Sequence, residues 1–391
     1  MRIAIFTDTY PPFINGVSTS TYNLVKVLEA HGHQTLVVTP RSDDGKLEIK
    51  DNVIYIPGIA LKKIYGYRLT TLYSSSVFNY IKNFKPDLVH NQTDVTVGQF
   101  AKLVATKLDI PIVYTYHTSY EDYTYYVTHG FLDRIAKRTI RAYSKFVANH
   151  STELISPSTK TKDFMRNVGY DTYVNVVPTG IDFSLFDESR IPQDKFTKFK
   201  KEHNIGENTK VFLILGRIAK EKSVDVSIRC FAAYLKAHPE VDAKLLVVGG
   251  GPQLNELELL VHELHIGSNV DFIGPVPASE VPFYYHLADI YTSASLTETQ
   301  GLTFMEAMVS KCIVITRYDD NLSGTIIEGE TGFFFIDEAS FVMKVDRIFK
   351  MNEEEKNKII NNALEIVDKY SLEKFYLNIF EVYKRAIRKF W

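Results

Sequence analysis

The chain has 391 residues, 45% apolar and 24% charged, with a formal net charge of −2. That length suits two domains of ordinary size, and the composition is globular, so bulk electrostatics give no hold on nucleic acid and an anionic partner has to be met by a local patch. Two cysteines, Cys230 and Cys312, lie in apolar elements without metal-site or disulfide spacing, which suits a reducing cytoplasm.

The first residues, MRIAIFTDTY, form a short apolar strand and then turn polar, without the apolar core of a signal peptide. No stretch approaches the roughly 18 apolar residues of a spanning helix. Short apolar runs then alternate with helical patterns, which predicts parallel α/β sheets. Strands are expected at 2–6, 34–39, 53–57, 87–90, 112–116, 153–156 and 174–177, with helices at 18–31 and 95–107 among those between. Residues 182–209 are polar, contain Pro192 and show no strong period, and read as the connection between domains. The pattern restarts with strands at 211–215, 244–248, 270–273, 289–293, 312–316 and 332–336. From 353 onward it is helical, ending in the amphipathic, basic SLEKFYLNIFEVYKRAIRKFW. Two such halves suggest a cleft into which both sheets point their carboxyl ends.

The most informative stretch is ETQGLTFMEA, in which Glu298 and Glu306 have seven residues between them. The first acid falls on a loop after a strand and the second on the following helix, where open α/β sheets bind ligands. Carboxylates accept hydrogen bonds only, which suits a hydroxyl-rich ligand such as a sugar nucleotide. Glu306 sits among Phe304, Met305, Ala307 and Met308, so a buried carboxylate there needs a partner. Upstream, GRIAKEK places Arg217 and Lys222 after another strand, and both side chains are phosphate binders. The plain alternative is a solvated basic loop. Gly249, Gly250 and Gly251 permit close backbone approach to a ligand or make a tight turn. Near the start, TDTYPPFINGVS leads into a helix with Ser18 as a candidate cap and Gly16 free of a Cβ, which can meet a phosphate or be an ordinary loop. His117 ends a strand, where it can donate to a sugar hydroxyl, use its carbonyl, or be a satisfied loop histidine. No Asp, Glu or His group has metal-ligand spacing, so no obligatory metal is expected. Arg217, Lys222 and backbone dipoles would then neutralise a leaving diphosphate.

Residues 120–131 are rich in Tyr and Phe, including Tyr123 and Tyr126. The helical pattern 131–147 has Arg134, Lys137, Arg138, Arg141 and Lys145 on one face. Such a helix lies on an anionic membrane surface or docks on the core with a solvated basic face.

Together these residues resemble the retaining GT-B glycosyltransferases that carry the E-x7-E motif. The resemblance covers nearly the whole chain, through YPPFINGVS, YHTSY, ISPS, VPTGID, GRIAKEKS, VVGGGP, NVDFIG and ETQGLTFMEAM. It implies two Rossmann-like domains facing a deep cleft: 1–185 for the acceptor, 186–370 for the nucleotide sugar, and a helix at 371–391 crossing back to the first. It further implies a catalytic set of His117, Arg217, Lys222 and Glu298. Gly16, Arg217 and Lys222 would meet the donor diphosphate, His117 and Glu298 the hexose, and Glu306 the ribose. Gly250, Gly301 and Leu302 would complete the donor site. Within the family, the stretch from YHTSYEDYTYYV to ISPS is similar to bacterial enzymes that glucosylate diacylglycerol. That likeness implies UDP-glucose as donor, a lipid acceptor, and a peripheral place at the inner face of the cell membrane. Departures are AMVSKCIVIT, where Lys311 and Ile313 stand at a frequent Gly and a frequent Pro, and Thr299-Gln300-Gly301 after Glu298. Other readings are the same chemistry on phosphatidylinositol or a soluble sugar acceptor, a silent binding protein, or an epimerase. The last would need first-half carboxylates, for which Asp8, Glu121 and Asp122 are the candidates. Nothing in the sequence sets an oligomeric state.

Overall fold

Alternating apolar strands and amphipathic helices build two parallel sheets in the computed structural model, one in each of two units. The structure describes residues 1–13, 15–60, 68–93, 96–117, 138, 142, 145–167, 169–170, 173–298 and 300–391. The first unit comprises Met1–Gly180 and Leu372–Trp391, and the second Ile181–Ser371.

The first sheet contains β1 (Arg2–Phe6), β2 (Gln34–Pro40), β3 (Glu48–Lys50) and β4 (Val53–Ile56). A separate small hairpin pairs β5 (Gly58–Ala60) with β6 (Arg68–Thr70), and β7 (Leu88–Asn91), β8 (Ile112–Thr115), β9 (Glu153–Ser156) and β10 (Val174–Val176) complete the main sheet. Among the described residues its order is β10-β9-β8-β7-β1-β2-β4-β3, parallel except for β3 against β4. Ile3, Ala4, Ile5 and Phe6 of β1 are all fully buried, as a central strand covered on both faces requires. The chain leaves β1 for β2 on one side and later returns to β7 on the other. The crevice this opens at the carboxyl end of β1 is where such sheets bind ligands.

The second sheet follows the same logic with β11 (Lys210–Leu215), β12 (Ala243–Val248), β13 (Val270–Gly274), β14 (Ile290–Ser293), β15 (Ile313–Arg317) and β16 (Phe333–Phe335). Its order is β13-β12-β11-β14-β15-β16. Its switch point lies between β11 and β14, which pair through Phe212 with Ile290 and Leu213 with Tyr291. Alternate residues along β11 feed different cores: Phe212 and Ile214 one, Val211 and Leu213 the other.

The last helix, Leu372–Phe390, belongs to the first unit. Phe375, Tyr376, Ile379, Val382, Tyr383 and Ala386 recur at helical spacing and are buried with Leu24, Val27 and Leu28 of the helix Gly16–Ala30. Each such aliphatic or aromatic side chain contributes about 1.5–3 kcal/mol by leaving water.

Two sequence expectations change, and three short strands are added. Residues 182–209 are not a bare connection. They hold the helix Gln193–Glu202, whose Phe196 and Phe199 pack on Phe283, while Phe186 and Ile205 enter the core of the second unit. A one-sided pair of Phe in a lysine-rich helix is too sparse to register as a period. The helix Gly16–Ala30 is capped by Asn15, whose side chain accepts from Ser18 N at 2.8 Å. Ser18 is therefore inside the helix and buried. Asn15 is extended, so its short carboxamide reaches the third amide of the turn. The short strands β3, β5 and β6 carry no alternating pattern long enough to be read in advance.

Candidate active site

In the second unit, β11 ends at Leu215, and Gly216 turns the chain with a φ of 143°, open to glycine and not to other residues. The loop then carries Arg217 and a short turn, Lys220–Lys222. Arg217 Nη2 lies 2.7 Å from Glu221 Oε1, and Lys222 Nζ lies 2.6 Å from Glu298 Oε1. Thr297 Oγ1 adds a bond to the Glu221 carbonyl at 3.1 Å. The loops after the two neighbouring strands of the switch point are thus tied by charge. Both cations keep about 30% of their side-chain surface in solvent, so the ties are accessible to a ligand.

Glu298 is followed by Gly301, buried with a φ of 75°, which starts the helix Leu302–Val309 without a side-chain cap. Its first amides are therefore donors of the kind that meet an anion. Leu302 opens this helix, and Glu306 lies one turn further on. The apolar neighbours Phe304, Met305, Ala307 and Met308 are buried, and the partner that Glu306 requires is Tyr285. The Tyr285 hydroxyl is 3.0 Å from Glu306 Oε2 and 3.1 Å from the Thr303 carbonyl. Desolvation pushes the Glu306 carboxyl up to about 7, which the Tyr285 bond offsets only in part. Lys311 takes a φ of 62° and so occupies a left-handed turn as a lysine.

The first two of the three glycines after β12 divide by role. A Cβ on Gly249 would stand 1.8 Å from the Gly216 carbonyl oxygen, whereas one on Gly250 would meet only the Pro275 ring at 3.6 Å. Packing between the two loops accounts for Gly249 and leaves Gly250 unexplained.

In the first unit, Asp8 follows β1 and is buried, its carboxylate accepting from Thr93 Oγ1. Burial pushes it up to about 6 against the lowering effect of that bond. Thr9 Oγ1 bonds the Asn15 side chain at 3.2 Å, fixing the loop before Gly16, which is exposed in the first helical turn. His117 follows β8, its Nε2 donating to Gln92 Oε1, and burial pushes its imidazole down to about 4, so it is neutral at pH 7. His90, Gln92, Thr93 and Tyr285 were not singled out from sequence. The visible signal for the first three was the run of polar residues HNQT at the end of a buried strand.

Arg138 is helical and exposed. Tyr123, Tyr126, Arg134, Lys137 and Arg141 lie outside the described residues, as do Glu121, Asp122 and Thr299. Among the described residues no helix is long and apolar enough to cross a membrane, and no three His, Cys, Asp or Glu side chains gather as they would around a metal ion.

Residues 14–185 match the family model "Glycosyltransferase Family 4", and residues 195–365 match "Glycosyl transferases group 1". The chain is 33% identical over 402 residues to an α-monoglucosyldiacylglycerol synthase of Acholeplasma laidlawii, covering 100% of both chains. It is 33% identical over 340 residues to the enzyme of that name from Streptococcus pneumoniae, covering 86% of this chain and 76% of the other. In fold it is similar to the sucrose-phosphate synthase of Thermosynechococcus elongatus, with a TM-score of 0.75, 20% identity and 99% of both chains covered. The chain belongs to the GT-B glycosyltransferase family, with a family 4 first half and a group 1 second half, and is a hexosyltransferase of the kind that includes these synthases.

Proposed function

We propose that this protein transfers glucose from UDP-glucose to diacylglycerol, with retention at the anomeric carbon, at the inner face of the cell membrane. The observation that carries the reading is the full-length 33% identity to a synthase of monoglucosyldiacylglycerol, whose name supplies both sugar and acceptor. The geometry of the second unit supports the donor end. Arg217 and Lys222, at the end of β11, are assigned to the diphosphate, together with the uncapped amides at Gly301 and Leu302. A lysine ammonium has three N–H donors, so Lys222 can hold Glu298 and a phosphate oxygen at once. Glu298, kept in place by Lys222, is assigned to hexose hydroxyls, and Glu306 to the ribose diol. In the first unit, Gly16 is assigned to the diphosphate and His117 to the hexose.

In this reading the developing charge on the leaving diphosphate is met by fixed cations and amide dipoles, so no obligatory metal is required. The enzyme docks on anionic lipid through the basic face of Arg134, Lys137, Arg138 and Arg141, next to Tyr123 and Tyr126.

The test is product formation. Purified protein is supplied with UDP-glucose, UDP-galactose or GDP-mannose, and with vesicles of diacylglycerol, glucosyl-diacylglycerol or phosphatidylinositol or with free glucose as a soluble acceptor, and the product's linkage is read by NMR. α-Glucosyl-diacylglycerol from UDP-glucose is expected. A product formed only on a soluble sugar, or a β linkage, would overturn the acceptor or the stereochemistry. In the same preparation, flotation with anionic and neutral vesicles is expected to favour the anionic ones. Replacing Lys137, Arg138 and Arg141 with Ser should remove that preference, at about 1 kcal/mol per charge.

A further inference from the structure

Behind His117, the first unit holds a line of buried polar side chains running back to the last helix. His90 on β7 is fully buried. Its Nδ1 lies 2.6 Å from the Tyr383 hydroxyl of the helix Leu372–Phe390, and its Nε2 lies 2.7 Å from Thr115 Oγ1 on β8. The amide nitrogen of Gln92 is 3.0 Å from His90 Nε2 and 3.3 Å from His90 Nδ1, while Gln92 Oε1 accepts from His117 Nε2.

Donor and acceptor accounting fixes the proton of His117. Burial pushes the His90 imidazole down to about 3, so it is neutral and has one N–H and one lone pair. The Gln92 amide nitrogen only donates, so it gives to whichever His90 nitrogen carries the lone pair, while the Thr115 and Tyr383 hydroxyls can serve either ring nitrogen as donor or acceptor. Gln92 Oε1 only accepts, so the proton of His117 sits on Nε2. Which ring nitrogen carries the proton is set by the bond the other side of the ring makes.

We propose that Gln92, held by His90 and through it by Tyr383, is a positioning residue that keeps His117 as the Nε2–H tautomer. His117 Nδ1 then presents a lone pair and takes a hydrogen bond from a hydroxyl of the transferred sugar, instead of giving one. This rests on the assignment of His117 to the hexose. It also gives the last helix a task beyond packing, because Tyr383 is its contribution to the line.

The experiment is nitrogen NMR of histidine-labelled protein, with the His117 signals assigned by their loss in His117→Gln. In the wild type, Nε2 is expected to show a protonated shift with its one-bond coupling, and Nδ1 an unprotonated shift. Gln92→Met keeps the shape and removes the acceptor, so the His117 tautomers should mix. Gln92→Glu restores an acceptor and should restore the Nε2–H form. In turnover, Gln92→Met is expected to lower kcat by roughly tenfold, the scale of one lost hydrogen bond, with UDP affinity unchanged. A wild-type His117 protonated on Nδ1 overturns the proposal whatever the variants do, even if Gln92→Met fails to fold. A tautomer unmoved in a folded Gln92→Met overturns it as well. The expected tautomer shifts in a protein that makes no glucosyl-diacylglycerol would support the positioning line and overturn the proposed reaction instead.

Discussion

Lys222 Nζ stands 2.6 Å from Glu298 Oε1, joining the loops that follow β11 and β14, the two strands beside the switch point of the second sheet. The pair gives two substitutions different signatures. Lys222→Ala should lower turnover by about 100- to 1000-fold, the scale for losing one preorganised charge at a developing anion, and Arg217→Ala should do the same. Both variants should fold, since neither cation is in the core. Glu298→Gln should leave UDP affinity unchanged and slow the sugar-dependent step. Steady-state kinetics with calorimetry of UDP separate the two, and near wild-type turnover in both cation variants would remove the diphosphate assignment.

Glu306 carries a proton-linkage prediction. Its carboxyl is pushed up to about 7 by desolvation, so near neutral pH a large fraction is protonated. A ribose diol donating to the carboxylate favours the charged form, lowering the pKa on binding. UDP affinity should therefore rise as pH rises through about 7, and binding should release a proton. Calorimetry in buffers of different ionisation enthalpy reads that proton directly. Glu306→Gln should abolish the release and weaken UDP by about 1.5–3 kcal/mol, the worth of a charge-assisted bond. Affinity that is flat from pH 6 to 8 in the wild type would place the ribose elsewhere.

Metal independence is the third expectation. With Arg217 and Lys222 on one loop, chelation by EDTA should leave turnover largely intact when vesicle composition is held fixed. Complete loss, restored by a single divalent ion, would show that these cations do not suffice.

The sequence carried the two sheets and their order of elements because buried parallel strands such as Ile3–Phe6 are unbroken apolar runs. The Glu298 and Glu306 pair was legible for a related reason: its spacing falls on a strand end, a glycine turn and a helix. What stayed hidden depends on contacts between distant segments. Tyr285 reaches Glu306 from a helix 21 positions earlier, and Tyr383 reaches His90 across 293 positions. No local period records such a bond. The helix Gln193–Glu202 was missed for the opposite reason, since its local pattern is nearly all polar and its Phe196 and Phe199 find their partners in the distant Phe283 and Tyr284.

The first unit should have a pH-dependent stability with two opposing contributions. Asp8 is raised from 3.8 to about 6, so the folded state holds its proton more tightly than the unfolded chain. Its contribution is fully present below 3.8 and is lost as pH rises through about 6. His90 and His117 are lowered from 6.5 to about 3 and about 4, so their contribution is present above 6.5 and lost as pH falls below it. Asp8→Asn keeps an acceptor for Thr93 and removes the first contribution alone. The variant should gain stability over wild type between pH 4 and 7, by up to roughly 3 kcal/mol for a shift of about two units. Thermal melts of both proteins at pH 4, 5.5 and 7 check the sign. A constant difference across that range would mean Asp8 does not titrate inside the fold.

The glycines after β12 separate packing from binding in one pair of variants. Gly249 has a φ of 134°, and a Cβ there would stand 1.8 Å from the Gly216 carbonyl, so Gly249→Ala must displace the loop that carries Arg217. A cost of about 2–4 kcal/mol is expected, lowering the Tm of the second unit by roughly 5–15 °C. Gly250→Ala meets only the Pro275 ring at an ordinary 3.6 Å. Its Tm should stay within about 2 °C of wild type, the range of a substitution that disturbs no packing. If the diphosphate lies against the Gly250 backbone, the added methyl group intrudes on it and UDP affinity should fall by roughly tenfold or more, the scale of one displaced hydrogen bond. Calorimetry on the folded Gly250→Ala protein decides the matter, because the melt has already shown the loop in place. Unchanged UDP affinity would take Gly250 out of the donor site and leave only Gly301 and Leu302 supplying backbone to it in this unit.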